Sequence, residues 1–223
     1  MTRTALKNRI LPDYTKAEEI FNMVTHIVGG GIGVIVLVSC LLKAIFFGNV
    51  WGIVTSAIYG TSMIVLYCVS SVYHGLKHEM AKKVMQVIDH CTIYLLIAGT
   101  YTPILLCSIR TVSPFWGWGL FAFVWGLAAL AATLTAIDLK KYSAFSMVCY
   151  ILMGWCIVAA TKVALATIDK QGLALLLAGG IAYTVGAVLY GMGKKVRFMH
   201  SVFHIFVVLG SLLQYLSIIL YVL

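Results

Sequence analysis

Seven stretches of about twenty mostly apolar residues, separated by short polar connections, run through this chain. Their limits read as 20–43, 51–74, 84–107, 115–137, 143–163, 173–192 and 199–222. A helix rises about 1.5 Å per residue, so twenty residues match a bilayer's hydrocarbon core of roughly 30 Å. In lipid each backbone N–H and C=O must be satisfied within the protein, and a helix does this inside one segment. The pattern therefore predicts an all-α fold, a seven-transmembrane helix bundle. Composition agrees: 62% of the residues are hydrophobic and 10% are charged, too greasy for a water-facing surface.

The first nineteen residues are polar, and Thr15-x-x-Glu18 has the form of a capping box that would start the first helix. Only 3 prolines and no Gly/Ser-rich linker occur, so residues 20–223 read as one transmembrane domain behind an N-terminal segment, 1–19. The first apolar stretch is too long for a signal-peptide core, and no processing is expected. The six cysteines (40, 68, 91, 107, 149, 156) form no Cys-x-x-Cys and read as free, small hydrophobes. The glycines at 29, 30, 31 and 33 are expected to allow close helix approach.

Charge orients the bundle. Twelve of the 16 lysines and arginines fall in the N-terminal segment and in the loops after spans two, four and six. The excess of positive charge on that side places the N-terminus in the cytoplasm and the C-terminus outside. Trp51, Trp116 and Trp118 then sit at the outer ends of spans two and four, as an interfacial belt would. The net charge of +9 forms no continuous basic stripe with interleaved aromatics, so nucleic acid is not an expected partner; membrane lipids are. The expected location is the plasma membrane, crossed many times.

Polar residues inside the apolar stretches carry the chemistry. His26, His74, His90, His200 and His204 all fall at the inner end of their spans, and His78 lies in the adjoining loop. At 100° per residue, His200, His204, Ser211 and Gln214 share a sector of about 80°. Ser56, Tyr59, Ser70 and His74 share a face of span two; Asn22, His26, Gly29 and Gly33 share one of span one. Such stripes should turn inward, to a partner or a wet cavity.

His200-x-x-x-His204 stacks two imidazoles on one helix face, and that spacing is common in zinc sites. An unpartnered imidazole buried in hydrocarbon would cost several kcal/mol, roughly 2–7. His74 lies at the same depth and offers a third ligand. Three neutral imidazoles with one open position are a catalytic type of zinc site, in which the metal acidifies a water to a pKa of about 7. Asp89 is the carboxylate placed to accept a proton or hold that water. Ser70, one turn before His74, could orient a ligand or the substrate. His26 reads as a packing histidine, and His78 and His90 as interfacial ones.

At these residues the sequence resembles the bacterial hemolysin III family, part of the progestin and adipoQ receptor group within a wider superfamily that includes alkaline ceramidases. The likeness lies in Glu18-Glu19-Ile20-Phe21-Asn22-Met23-Val24-Thr25-His26, in Ser70-x-x-x-His74, in Asp89-His90 with Ile97-Ala98-Gly99-Thr100-Tyr101-Thr102-Pro103, and in His200-x-x-x-His204. It implies a seven-helix fold with a cytoplasmic N-terminus. It also implies zinc on His74, His200 and His204, with Asp89 beside a water and Ser70 in the same cluster. Related members are regarded as lipid amide hydrolases, while the bacterial branch is named for lysis of red cells. The expected function is thus a zinc-dependent hydrolase of lipid amides or esters in membrane lipid homeostasis. The alternatives are a non-enzymatic sensor or regulator with a structural zinc, and a cytolytic protein.

Overall fold

The computed structural model describes residues 4–193 and 196–223. Of the basic residues used to orient the bundle, Arg3, Lys194 and Lys195 lie outside the described residues. Seven helices are long and apolar enough to cross a membrane: α1 (Lys16–Phe46), α2 (Val50–Gly75), α3 (Glu79–Val112), α4 (Pro114–Ile137), α5 (Ser143–Thr167), α6 (Lys170–Met192) and α7 (Met199–Tyr221). No strand occurs among the described residues. The protein is an all-α, multi-pass integral membrane protein. Each helix packs on its neighbour in sequence, α1 against α7 closes the ring, and α3 is the most buried span.

Capping sets the first helix. The Thr15 hydroxyl accepts from the Glu18 N–H at 3.2 Å, and Glu18 Oε2 accepts from the Thr15 N–H at 2.8 Å, a complete capping box. α1 ends at Phe46 with Phe47 as its C-cap, and Gly48 takes φ +64°, the left-handed conformation that glycine adopts without a Cβ clash. Asn49 then caps α2, its side chain accepting from the Gly52 N–H at 2.8 Å.

Without a hydrophobic drive between helices in lipid, close packing holds the bundle together. A Cβ at Gly29 would stand 2.5 Å from the Tyr67 ring, and one at Gly60 would stand 2.6 Å from the Leu37 backbone. Gly33 is nearly as tight against Ile64. Gly30 and Gly31, grouped with them in the sequence reading, are not at the close contact: Gly31 meets nothing within 4 Å. Gly30, about 100° around the helix from Gly29, is buried with only ordinary contact to Tyr67 and Cys68 of α2 at 3.9 Å, and Gly31, about 200° around, faces away from α2. Gly60→Val, which must displace backbone, is expected to destabilise the purified protein by about 1–3 kcal/mol, read as a drop in thermal midpoint.

Two spans depart from plain α-helix. α3 runs through Pro103 and continues as a wide π turn over Ile104–Ile109, so it reaches beyond the expected end at 107. Pro103 lacks the N–H that would bond Gly99, and the wider turn absorbs the mismatch. α5 is not the uninterrupted span the hydrophobic pattern suggests: after Gly154 it turns at Trp155 and passes through a 3-10 stretch, Cys156–Ala160. The Gly154 carbonyl accepts from the Tyr101 hydroxyl at 2.6 Å, which satisfies it inside the bundle. At the end of the bundle away from the N-terminus, Trp51 and Trp118 meet edge to face at 5.8 Å, and the Arg110 guanidinium lies 4.3 Å over Trp51. All six cysteines are free.

Candidate metal centre

α7 is launched from a constrained entry. Phe198 holds φ +63°, a left-handed conformation that costs a non-glycine residue about 1–3 kcal/mol. Its N–H donates to Glu18 Oε1 at 2.6 Å. The carboxylate that caps α1 therefore also pins the start of α7. The first two turns that follow carry His200 and His204, both buried and one above the other.

Their Nε2 atoms stand 3.1 Å apart. His74, in the last turn of α2, is buried beside them, its ring centroid 5.0 Å from that of His204 and 5.5 Å from that of His200. One nitrogen from each of the three rings lies within 4.8 Å of the others. A tetrahedral zinc with bonds of about 2.0–2.1 Å spaces its ligand nitrogens about 3.3 Å apart. The His200–His204 pair already has that spacing, and His74, within 4.8 Å of both, would match it by closing at most about 1.5 Å.

Glu19 decides which nitrogen of His74 faces the cluster. Its Oε2 accepts from His74 Nδ1 at 2.7 Å, and its Oε1 takes Lys82 Nζ at 2.9 Å. A carboxylate can only accept, so Nδ1 carries the proton and Nε2 presents a lone pair. That Nε2 is buried and has no hydrogen-bond partner among the described residues. An orphaned lone pair beside two more imidazoles, with a carboxylate behind the ring, is the donor set a zinc ion takes. Lys82 also donates to the carbonyls of Leu76 and His74, at 3.1 and 3.4 Å, and so ties the end of α2 to α3. Glu19→Gln removes the acceptor that carries charge; were the three imidazoles to hold zinc, a competition titration should show its binding weakened about 10–100-fold.

Asp89 comes from α3 and accepts a hydrogen bond from Ser70 of α2. Ser70 is buried and Asp89 partly so, and the hydroxyl steadies the carboxylate. It lies within electrostatic reach of Tyr14, Tyr73 and Tyr190. These rings also border the histidines: Tyr73 is 4.6 Å from His74, Tyr190 is 5.6 Å from His200, and Tyr14 is 4.9 Å from His200. Burial pushes the Tyr14 phenol well above its usual range, so it stays a neutral donor.

The remaining histidines take other roles. His26 stacks on His204 with centroids 3.7 Å apart and planes 18° apart. Neither of its nitrogens, nor either polar atom of the Asn22 side chain, has a partner among the described residues. His78 is the N-cap of α3, accepting from the Ala81 N–H at 3.3 Å. His90 holds the Gln86 carbonyl at 2.7 Å and the Tyr190 hydroxyl at 3.2 Å. The polar stripe of α7 is also met: Tyr67 and Tyr183 each bond Ser211 at 2.8 Å, and Gln214 donates to the Leu176 carbonyl at 3.1 Å.

Sequence reasoning missed Glu19, Lys82, Tyr14, Tyr73 and Tyr190. Glu19 left a trace, since Glu19, Asn22 and His26 recur at steps of three and four along one face. Tyr14 left none, because it precedes the first helix.

The profile of a family described as Haemolysin-III related matches residues 14–215. The chain is 38% identical over 206 residues to Hemolysin-3 of Bacillus cereus, covering 92% of each chain. It is 36% identical over 208 residues to a Hemolysin-3 homolog of Bacillus subtilis (strain 168), covering 93% of this chain and 96% of that one. It is 27% identical over 178 residues to the human monocyte to macrophage differentiation factor, covering 75% of this chain and 70% of the other. The residues that build the centre, from Tyr14 to His204, all lie within the matched span, and the chain belongs to the haemolysin-III related family.

Proposed function

We propose that the protein binds zinc on His74, His200 and His204 and hydrolyses an amide or ester bond of a membrane lipid. The observation that carries the reading is the unpartnered Nε2 of His74, aimed by Glu19 at two imidazoles whose nitrogens are already at ligand spacing. Zinc in such a site supplies a Lewis acid for a carbonyl and acidifies a water. Asp89 takes the proton of the attacking water and returns it to the leaving group, and Ser70 keeps that carboxylate aimed. Three ligands with a carboxylate nearby leave an open position, whereas a structural zinc site is usually closed by a fourth.

The lysine bias puts this end of the bundle at the cytoplasmic leaflet, so the scissile group would enter from that leaflet with its acyl chains still in lipid. The test is zinc content of the detergent-purified protein together with turnover on a panel of lipid amides and esters, in wild type and His200→Ala. Stoichiometric zinc without turnover on any lipid defeats the hydrolase and leaves the metal.

A second reading rests on the placement of the ligands: zinc would join α2 to α7 and serve only as a clamp in a non-enzymatic sensor. Lysis, which the names of the Bacillus relatives suggest, is checked by leakage of liposomes with purified protein. Leakage that survives loss of the histidines would favour it over both zinc readings.

A further inference from the structure

The polar segment before α1 folds back over the bundle instead of extending away from it. The Thr4 N–H donates to Asp138 Oδ2 at 2.8 Å, across 134 positions of sequence. Arg9 is buried against the end of α4, where it reaches the Ile137 carbonyl at 3.4 Å. Lys83 of α3 donates to the Lys7 carbonyl at 3.0 Å, beside a short 3-10 turn, Leu6–Asn8. The other end of the strap is fixed at Thr15 by the capping box. The Thr4 and Lys141 N–H groups hold the Asp138 carboxyl down to about 2, so this anchor stays ionised at any physiological pH. Between the anchors, Tyr14 lays its ring on the His200 imidazole, with centroids 4.9 Å apart and planes 26° apart, and lies 5.8 Å from His74.

Resting on the metal reading above, we propose that Tyr14 is a positioning residue of that centre, and that the strap carrying it closes the centre to water-soluble solutes at this end of the bundle. His200 stands in the first turn of α7, just behind the left-handed Phe198, where a helix is least held by its own hydrogen bonds. A ring packed on its face fixes the imidazole where its Nε2 meets that of His204. The same ring occupies the space through which an ion or a chelator would approach from the N-terminal side. A lipid substrate must then arrive from the side of the bundle.

The test uses the full chain in lipid nanodiscs, loaded with zinc, and follows release to excess EDTA, which is charged and stays in water. Tyr14→Phe keeps the ring and should release zinc within about twofold of wild type. Tyr14→Ala should release it at least about tenfold faster, with the same zinc content at saturation, which reports an intact site. Release from Tyr14→Ala at the wild-type rate overturns the proposal. So does release from Tyr14→Phe as fast as from Tyr14→Ala, since the hydroxyl and not the ring would then matter.

A second arm needs no metal. In His200→Cys, labelling of the introduced thiol by a charged thiosulfonate is measured above the background of the six native cysteines. Adding Tyr14→Ala should speed it at least about tenfold. If the wild type holds no zinc, the metal reading fails by itself. The labelling arm then still decides the strap, and unchanged labelling overturns it.

Discussion

His74→Ala is expected to empty the protein of zinc. Detergent-purified wild type should carry about one zinc per chain, and the variant less than about a tenth of that after dialysis against a mild chelator. The loss should be this large because the substitution removes one of the three proposed ligands, and the one that is pre-aimed. Glu19 holds the His74 ring with its lone pair inward, and alanine leaves that carboxylate with Lys82 alone. Thermal stability should fall with it, since zinc at a thousand times its Kd adds about 4 kcal/mol to the folded state. His78→Ala is the matched control: that ring caps α3 through the Ala81 N–H, 3.3 Å away, and its loss should leave zinc unchanged. Zinc retained by His74→Ala would place the metal elsewhere and remove the basis of the proposed chemistry.

Asp89→Asn is expected to separate catalysis from binding. The amide still accepts a hydrogen bond from Ser70, so the local packing survives, but it cannot take a proton. Turnover of the lipid substrate should fall about 10²–10⁴-fold while zinc content stays at the wild-type level. Ser70→Ala should cost much less, because it acts only through the orientation of Asp89. Both variants are read by steady-state turnover with zinc measured on the same samples. Full activity in Asp89→Asn would favour the reading in which the ion serves only to join α2 and α7.

Much of the fold was legible before any coordinates, and for a single reason. A bilayer imposes length and hydropathy on each span locally, so twenty apolar residues between polar connections suffice to mark a helix. The inward faces followed from periodicity: Asn22 and His26, Ser56, Tyr59, Ser70 and His74, and His200, His204, Ser211 and Gln214 are all buried. The turn at Trp155 and the π turn after Pro103 were not legible, because the partners that stabilise them come from elsewhere in the chain. Tyr101 satisfies the carbonyl freed at Gly154, and nothing near residue 154 announces it.

The candidate site divides along the same line. Helical spacing alone set His200 above His204 and put Ser70 one turn from His74, and hydropathy put all of them at one depth. What packing decided was azimuth and contact: that α2 and α7 turn those faces to each other, that Asp89 meets Ser70 across the α2–α3 contact, and that Glu19 chooses the nitrogen His74 presents. It also brought Tyr14, some 186 positions away in sequence, onto His200. Depth in a membrane is a property of a segment and its neighbours along the chain. Which side chains meet across the bundle depends on helix rotation and on loops folding back, and those are settled only when all seven helices pack together.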